Sequence, residues 1–327
     1  MANLLLLAVG MALLLAGGNA LVRGASALAA GAGISPLIIG LTVVAFGTST
    51  PELAVNVTAS LQGSSDIAFG NIIGSNIANI GLIIGLAALL KPLEIESQII
   101  FREIPMLLLA SMSGIVLGSD ALLRGQAGMF DRGDGLMLLL LFAVFMYYTL
   151  AEVFRKRGDD SLLREAAESL PAAAPQSYAA QAGLILAGLV GLVIGGGLTV
   201  DAASSLALSA GISPAVVGLT VVAVGTSLPE LVTSLIATWK GQTDIAVGNV
   251  VGSNIFNLLF IAGLSATAYP IALPASGVAD LLVMAGFAFV LLPLSVTHQR
   301  RIVRGEGLLL LLLYIGYTAW RALSPAG

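Results

Sequence analysis

Two glutamates stand where an apolar chain rarely places a charge. Glu52 and Glu230 each fall near the middle of a long hydrophobic run. On insertion scales an ionisable side chain at such a depth costs about 2.5–3.5 kcal/mol, so it marks a site or pathway more readily than a packing position. The bland reading, a glutamate that snorkels or caps a helix, suits one such residue better than two at matched positions. Their surroundings also match: Thr48-Ser49-Thr50-Pro51-Glu52 and Thr226-Ser227-Leu228-Pro229-Glu230. Proline removes a backbone donor and disfavours helix in the residue before it, so each helix is expected to break there. A half-helix then begins at each proline, and its positive end meets the carboxylate. The unwound turn upstream is expected to free carbonyls, those of Ala45 and Ala223, for a cation.

The next hydrophobic run adds GNIIGSNIAN (Gly70 to Asn79) and GNVVGSNIFN (Gly248 to Asn257). Ser75, Asn79, Ser253 and Asn257 supply neutral oxygens, while Asn76 and Asn254 suit hydrogen bonding between helices. Carboxylate, hydroxyl, amide and carbonyl oxygens form a hard donor set suited to Ca²⁺ and alkali cations, not to zinc or copper. Cysteine is absent, which excludes disulfides and thiolate sites, and the one histidine, His298, sits beside Gln299, Arg300 and Arg301 in a polar loop.

These motifs are two copies of one segment. Gly33 to Gly85 aligns without a gap on Gly211 to Gly263, with GISP, GLTVVA, GTS, PEL and GSNI recurring at a constant offset of 178. The identities fall on polar residues, Pro and Gly, where chance similarity between apolar helices would match Leu, Val and Ala. Asp66 and Asp244 also recur, but at the starts of runs, where helix capping explains them. Arg23 and Asp201 occupy equivalent positions with opposite charge, and neither reads as a ligand.

The surrounding chain is a membrane protein by composition. Of 327 residues 57% are hydrophobic and 10% charged, and the mean hydropathy is +1.00. No ordinary water-soluble domain has such values. With about 20 apolar residues per span, the expectation is an all-α polytopic protein of about ten transmembrane helices. Spans are expected near 2–21, 36–61, 67–90, 104–117 and 135–154, then near 180–200, 214–239, 245–269, 278–296 and 307–320. The first is read as a retained helix, because it lacks a basic leader and a cleavage site. Residues 1–154 form one five-helix half, 155–178 a polar linker and 179–327 the other half. Five is odd, so the halves enter the membrane from opposite sides and the repeats are inverted, with the broken helices at the ion site.

Lysine and arginine collect in cytoplasmic loops. With the N-terminus outside, Arg23, Lys91, Arg102, Arg155, Lys156, Arg157, Arg164, Lys240, Arg300, Arg301 and Arg304 fall inside, and only Arg124, Arg132 and Arg321 outside. Both termini are therefore expected outside, with the linker cytoplasmic. Membrane lipid is the one partner implied; no nucleic acid, obligatory protein partner or cofactor is expected.

At GTSxPE and GSNIxN, in both copies, the sequence resembles the cation/calcium exchanger superfamily, and within it the prokaryotic sodium/calcium exchangers. The resemblance covers both repeats and the ten-span layout, and it implies a bacterial or archaeal inner membrane. It implies acidic ligands at Glu52 and Glu230, hydroxyl ligands at Thr48, Ser49, Thr226, Ser227, Ser75 and Ser253, carbonyl ligands at Ala45 and Ala223, and amide ligands at Asn79 and Asn257. Several relatives, potassium-dependent ones included, carry aspartate at the position of Asn257, so potassium co-transport does not carry over. Nor does calcium regulation of the animal type, because the large cytoplasmic insertion is missing. The function implied is antiport of Ca²⁺ against Na⁺, with the first and sixth helices sliding. A proton/calcium antiporter using the same carboxylates is the nearest alternative, and a passive cation channel a more distant one. An intramembrane hydrolase is not expected, because H-E-x-x-H is absent and GTSTP is no G-x-S-x-G elbow.

Overall fold

The structure, a computed structural model, describes residues 2–156, 177–210 and 223–323. The second GISP motif, the second GLTVVA up to Val222 and nearly all of the linker lie outside the described residues. The first half comprises α1 (Ala2–Ala32), α2 (Pro36–Thr48), α3 (Thr50–Leu61), α4 (Ser65–Leu90), α5 (Ile99–Gly118) and α6 (Arg132–Lys156). The second comprises α7 (Tyr178–Ser209), a short turn at Ala223–Gly225, α8 (Leu228–Trp239), α9 (Thr243–Ala268), α10 (Gly277–Val296) and α11 (Arg304–Leu323). Among the described residues eight helices are long and apolar enough to span a bilayer, and the bent pair α2–α3 makes a ninth span.

Two short strand pairs close the ends of the bundle. Leu93–Glu94 (β1) pairs antiparallel with Arg301–Ile302 (β4), with Leu93 opposite Ile302. Met129–Phe130 (β2) pairs antiparallel with Ile271–Ala272 (β3), with Phe130 opposite Ile271. α4 runs into β1, and α9 runs into β3 at the opposite end. The equivalent helices of the two repeats therefore cross the molecule in opposite directions, and the repeats are inverted as their odd span count requires.

α4 and α9 are the axis of the fold: 78% of the apolar window of α4 and 94% of that of α9 lie inside the protein, against 11% for α11. They are affordable there because glycine, serine and asparagine replace bulky side chains along their lengths, which lets neighbouring backbones close in. α11 and most of α1, α6 and α7 turn leucine and valine outward to lipid.

The helix break falls where the proline predicts it. Ser49 leaves helical geometry, at φ −82° and ψ 9°, and α2 and α3 meet at 47°. Pro51 sits in the first turn of α3, where its missing N–H has no partner to lose. In the second half Pro229 occupies the same place in α8, after Ser227. The freed carbonyl expected at Ala45 is not seen: it accepts the Ser49 N–H at 3.0 Å and the Thr48 hydroxyl at 3.4 Å. Wider π-type turns run over Asn79–Ile84 and Phe256–Ile261, so Asn79 and Asn257 both lie in locally re-aimed helix.

Other boundaries shift for physical reasons. α5 starts at Ile99, ahead of the expected 104, because Arg102 pairs with the buried Glu103 at 2.5 Å and the two charges enter together. α1 continues to Ala32, well past the expected Leu21, because its last turns pack on the start of α7, where the Tyr178 hydroxyl donates to the Gly31 carbonyl at 2.7 Å. Asp66 and Asp244 are not caps. They lie in the first turns of α4 and α9, after Ser64 and Gln242, where the helix dipole favours a negative charge.

α1 and α7 pack along their lengths through glycine. A Cβ placed on Gly188 would stand 2.6 Å from the Leu21 nitrogen and 2.8 Å from the Gly17 carbonyl. Gly188→Val is expected to cost about 1–3 kcal/mol through overpacking and to lower the melting midpoint in detergent. Gly183→Ala on the same helix, where nothing lies within 4 Å of the new carbon, should melt like the parent. Equal midpoints for the two variants would contradict close packing of α1 on α7.

Candidate functional site

The two breaks bring the repeated motifs together at the centre of the bundle. Glu52, on the first turn of α3, and Glu230, on that of α8, are each about 1% exposed. Among the described residues neither pairs with a lysine, arginine or histidine. Their protein partners come instead from the opposite repeat: the Ser49 hydroxyl donates to Glu230 Oε1 at 2.8 Å, and the Ser227 hydroxyl to Glu52 Oε1 at 3.4 Å. Ser253 approaches the same Glu230 oxygen at 3.5 Å. The carboxylates lie close enough to interact electrostatically, with the Thr226 hydroxyl beside Glu52 and the Thr48 hydroxyl beside Glu230.

Around them is a set of buried oxygens without a hydrogen-bond partner in the protein. It comprises Oε2 of Glu52 and of Glu230, the Ser75 hydroxyl, and the amide oxygens of Asn79 and Asn257. Asn79 is oriented by its other atom, because its Nδ2 donates to Asn254 Oδ1 at 2.9 Å. Asn254 in turn donates to the Asn76 carbonyl at 3.2 Å, tying α9 to α4. Asn254 thus bridges the helices as expected, whereas the Asn76 side chain turns back to Ile72 within α4. Burying two carboxylates and several unpaired oxygens costs free energy unless a cation or protons join them. The donor set is all oxygen and fits a hard cation.

Hydrogen bonds and electrostatic interactions join Glu52, Glu230, Thr48, Thr226, Ser49, Ser227 and Ser253; Ser75 and Asn79 are buried on α4, and Asn257 on α9. Ala45 borders the joined group through Thr48. Ala223 opens the turn before Thr226.

Sequence reading missed one layer of residues. Thr48 donates to Asn249 Oδ1 at 3.1 Å, and Thr226 donates to Asn71 Oδ1 at 3.1 Å. Asn71 and Asn249 occupy matched positions in GNIIG and GNVVG, so the constant offset carried the signal. Each asparagine oxygen anchors a threonine hydroxyl beside the site, and the single Thr48 proton has the Ala45 carbonyl at 3.4 Å as its longer alternative acceptor. The two copies then differ. Asn249 Nδ2 donates to the Ser234 hydroxyl at 3.0 Å and to the Glu230 carbonyl at 3.4 Å. In the first half Asn56 takes the Glu52 carbonyl at 2.7 Å, and Asn71 Nδ2 has no partner. Asn71 and Thr226 line a cavity of about 500 Å³ that reaches Asp66, Asp280 and Arg321 at the β2–β3 end.

Known proteins resemble this chain along nearly its whole length. A family model described as "Sodium/calcium exchanger protein" matches residues 2–151 and 180–323. The inner membrane protein YrbG of Escherichia coli is 42% identical over 269 residues, covering 81% of this chain and 79% of its own. The sodium/calcium exchanger MaX1 of Methanosarcina acetivorans is 33% identical, covering 96% of this chain and 97% of its own. A solved structure of the sodium-calcium exchanger NCX_Mj superposes with a TM-score of 0.80 at 31% identity, over 99% of both chains.

The asymmetry between the asparagines is measurable. Asn249→Ala removes hydrogen bonds to the Thr48 and Ser234 hydroxyls and to the Glu230 carbonyl, leaving the two hydroxyls their longer ones to the Ala45 and Ala246 carbonyls, and is expected to cost about 0.5–1.5 kcal/mol for each bond lost. Asn71→Ala removes the bond to Thr226 alone. Thermal melting without transported ions should place Asn249→Ala clearly below Asn71→Ala; the reverse order would contradict the hydrogen-bond assignment.

Proposed function

The chain belongs to the sodium/calcium exchanger protein family, and from that premise we propose that it exchanges Ca²⁺ for Na⁺ at the Glu52–Glu230 site by alternating access. It is a multi-pass membrane protein of a cation antiporter family. The observation that carries the finer reading is a pair of buried carboxylates, each bonded by a serine of the other repeat and neither paired with a basic group.

Two ionised carboxylates bring a charge of −2, which one Ca²⁺ neutralises and two Na⁺ neutralise equally. Competition between the ions follows from that equality. The proposed ligands are the Oε atoms of Glu52 and Glu230, the hydroxyls of Thr48, Ser49, Ser75, Thr226, Ser227 and Ser253, the amide oxygens of Asn79 and Asn257, and the carbonyl of Ala223. A third Na⁺ would make the cycle electrogenic. No covalent chemistry is assigned to any of these groups, and the protein is read as a transporter without a resident cofactor.

For alternating access, α1 and α7 are the natural moving body. They pack on each other through glycine, and only 33% and 28% of their most apolar stretches lie inside the protein. Either of two arrangements of this pair opens the fixed site to one side, as inverted repeats allow. The positive-inside distribution argues for the β1–β4 end, with Lys91, Arg300, Arg301 and Arg304, as the cytoplasmic face of a plasma membrane.

The test is calcium uptake by protein in sodium-loaded vesicles diluted into sodium-free buffer. Uptake is expected to require the outward sodium gradient, to survive collapse of any proton gradient, and to fall to background in Glu52→Gln and in Glu230→Gln. Uptake that follows a proton gradient without sodium would replace Na⁺ by H⁺ as the coupling ion. Full exchange by either glutamine variant would overturn the site itself.

A further inference from the structure

Some charges near the β1–β4 end are paired: Arg301 with Glu94 at 2.6 Å, Arg102 with Glu103 at 2.5 Å, and His298 with Glu306 at 3.3 Å. Among the described residues five exposed cations nearby have no carboxylate partner: Arg300 bonds to Ser97 and Arg304 to the Leu89 carbonyl, while Arg23, Lys91 and Lys240 converge on the turn between α8 and α9. Lys240 Nζ reaches across to the Asn19 side chain and backbone carbonyl on α1. Arg23 stands one helical turn further along α1, close enough for its charge to act on Lys240. Lys91 Nζ passes over Gly241, 3.2 Å from where a Cβ would stand. Burial and Arg23 together lower the Lys240 ammonium from its ordinary pKa. Nearby acids do not answer these charges, because Asp244 turns to Glu96 and Glu94 to Arg301.

The fold does not need these cations. The inverted repeat supplies a second copy of the turn at the other end, Gln62-Gly63-Ser64, with the same left-handed glycine. There the matched residues are Gln62 for Lys240, Asp201 for Arg23 and Tyr269 for Lys91. The mirrored turn forms with no cation at all. The charged copy also differs in the residue beside the turn: Trp239, next to Lys240, is 77% exposed, where the mirrored copy has Leu61, and tryptophan is a side chain that favours the lipid headgroup region.

We propose that Arg23, Lys91 and Lys240, with Trp239, form a binding site for the phosphate of an anionic phospholipid in the adjacent leaflet. The phosphate takes the place of the missing carboxylate, and the indole lies against the glycerol and upper acyl chain. Because Arg23 and Asn19 belong to α1 while Lys91 and Lys240 belong to α4 and the α8–α9 turn, the bound lipid bridges the α1–α7 pair to the rest of the protein.

Trp239 and Trp320 are the two tryptophans of the chain, so Trp320→Phe leaves Trp239 as a reporter. The full-length variant is reconstituted in phosphatidylcholine vesicles containing one-fifth phosphatidylglycerol, with bromine on the acyl chains of one lipid or the other. Quenching by brominated phosphatidylglycerol is expected to exceed its mole share by about threefold or more, since each basic group near the surface adds to the attraction. Adding Arg23→Gln, Lys91→Gln and Lys240→Gln together should return quenching to the mole share. Lys91→Arg with Lys240→Arg should keep the excess, which separates lost charge from lost folding. Arg301→Gln, at the same end but away from the turn, should also keep it. Quenching at the mole share in the parent, or an excess that survives the triple substitution, would overturn the proposal.

Discussion

Two carboxylates in the middle of a membrane protein, with no positive side chain paired to them among the described residues, are the constraint on which the rest of the structure depends. A carboxylate at that depth is tolerable only if its oxygens are satisfied. Here each glutamate receives hydroxyl donors from the protein and keeps one oxygen unpartnered. Supplying an arginine would have neutralised the site permanently. Leaving it to serine, threonine and asparagine keeps the net charge available to an exchangeable ion.

The inverted duplication is what makes this arrangement possible in one chain. Each break in α2–α3 and before α8 points a helix N-terminus at the molecular centre from an opposite side, and the serine before each break reaches the glutamate after the other. The site therefore belongs to neither half. α4 and α9 pass between the breaks and carry the asparagines that hold the threonines in place. Symmetry is not complete: Asn249 is fully hydrogen-bonded while Asn71 borders a cavity. A structure with two equivalent halves in unequal environments is what a protein open to one side at a time requires.

Much of this was legible in the sequence because polar residues in an apolar chain have few bland explanations. The repeat register, the proline breaks and the glutamate pair follow from Pro51, Pro229, Glu52 and Glu230 alone. The second layer was not legible, because Asn71 and Asn249 look like any helix-packing asparagine until Thr48 and Thr226 are seen against them. The Ala45 carbonyl shows the opposite failure. A proline break suggested an unwound turn, but Ser49 bends the chain with a single non-helical residue and its N–H still reaches Ala45. Element ends moved where an ion pair or a helix contact outweighed local hydropathy, as at Arg102–Glu103 and at the long end of α1.

The central claim is that one site, holding both glutamates, is shared in turn by Ca²⁺ and Na⁺. Equilibrium binding of ⁴⁵Ca²⁺ to the purified protein, titrated with NaCl at constant ionic strength, tests it most directly. The account predicts one Ca²⁺ per chain, displaced completely and competitively by Na⁺ with a steeper than first-order dependence on sodium. Calcium that stays bound at saturating sodium would mean separate sites and would contradict it.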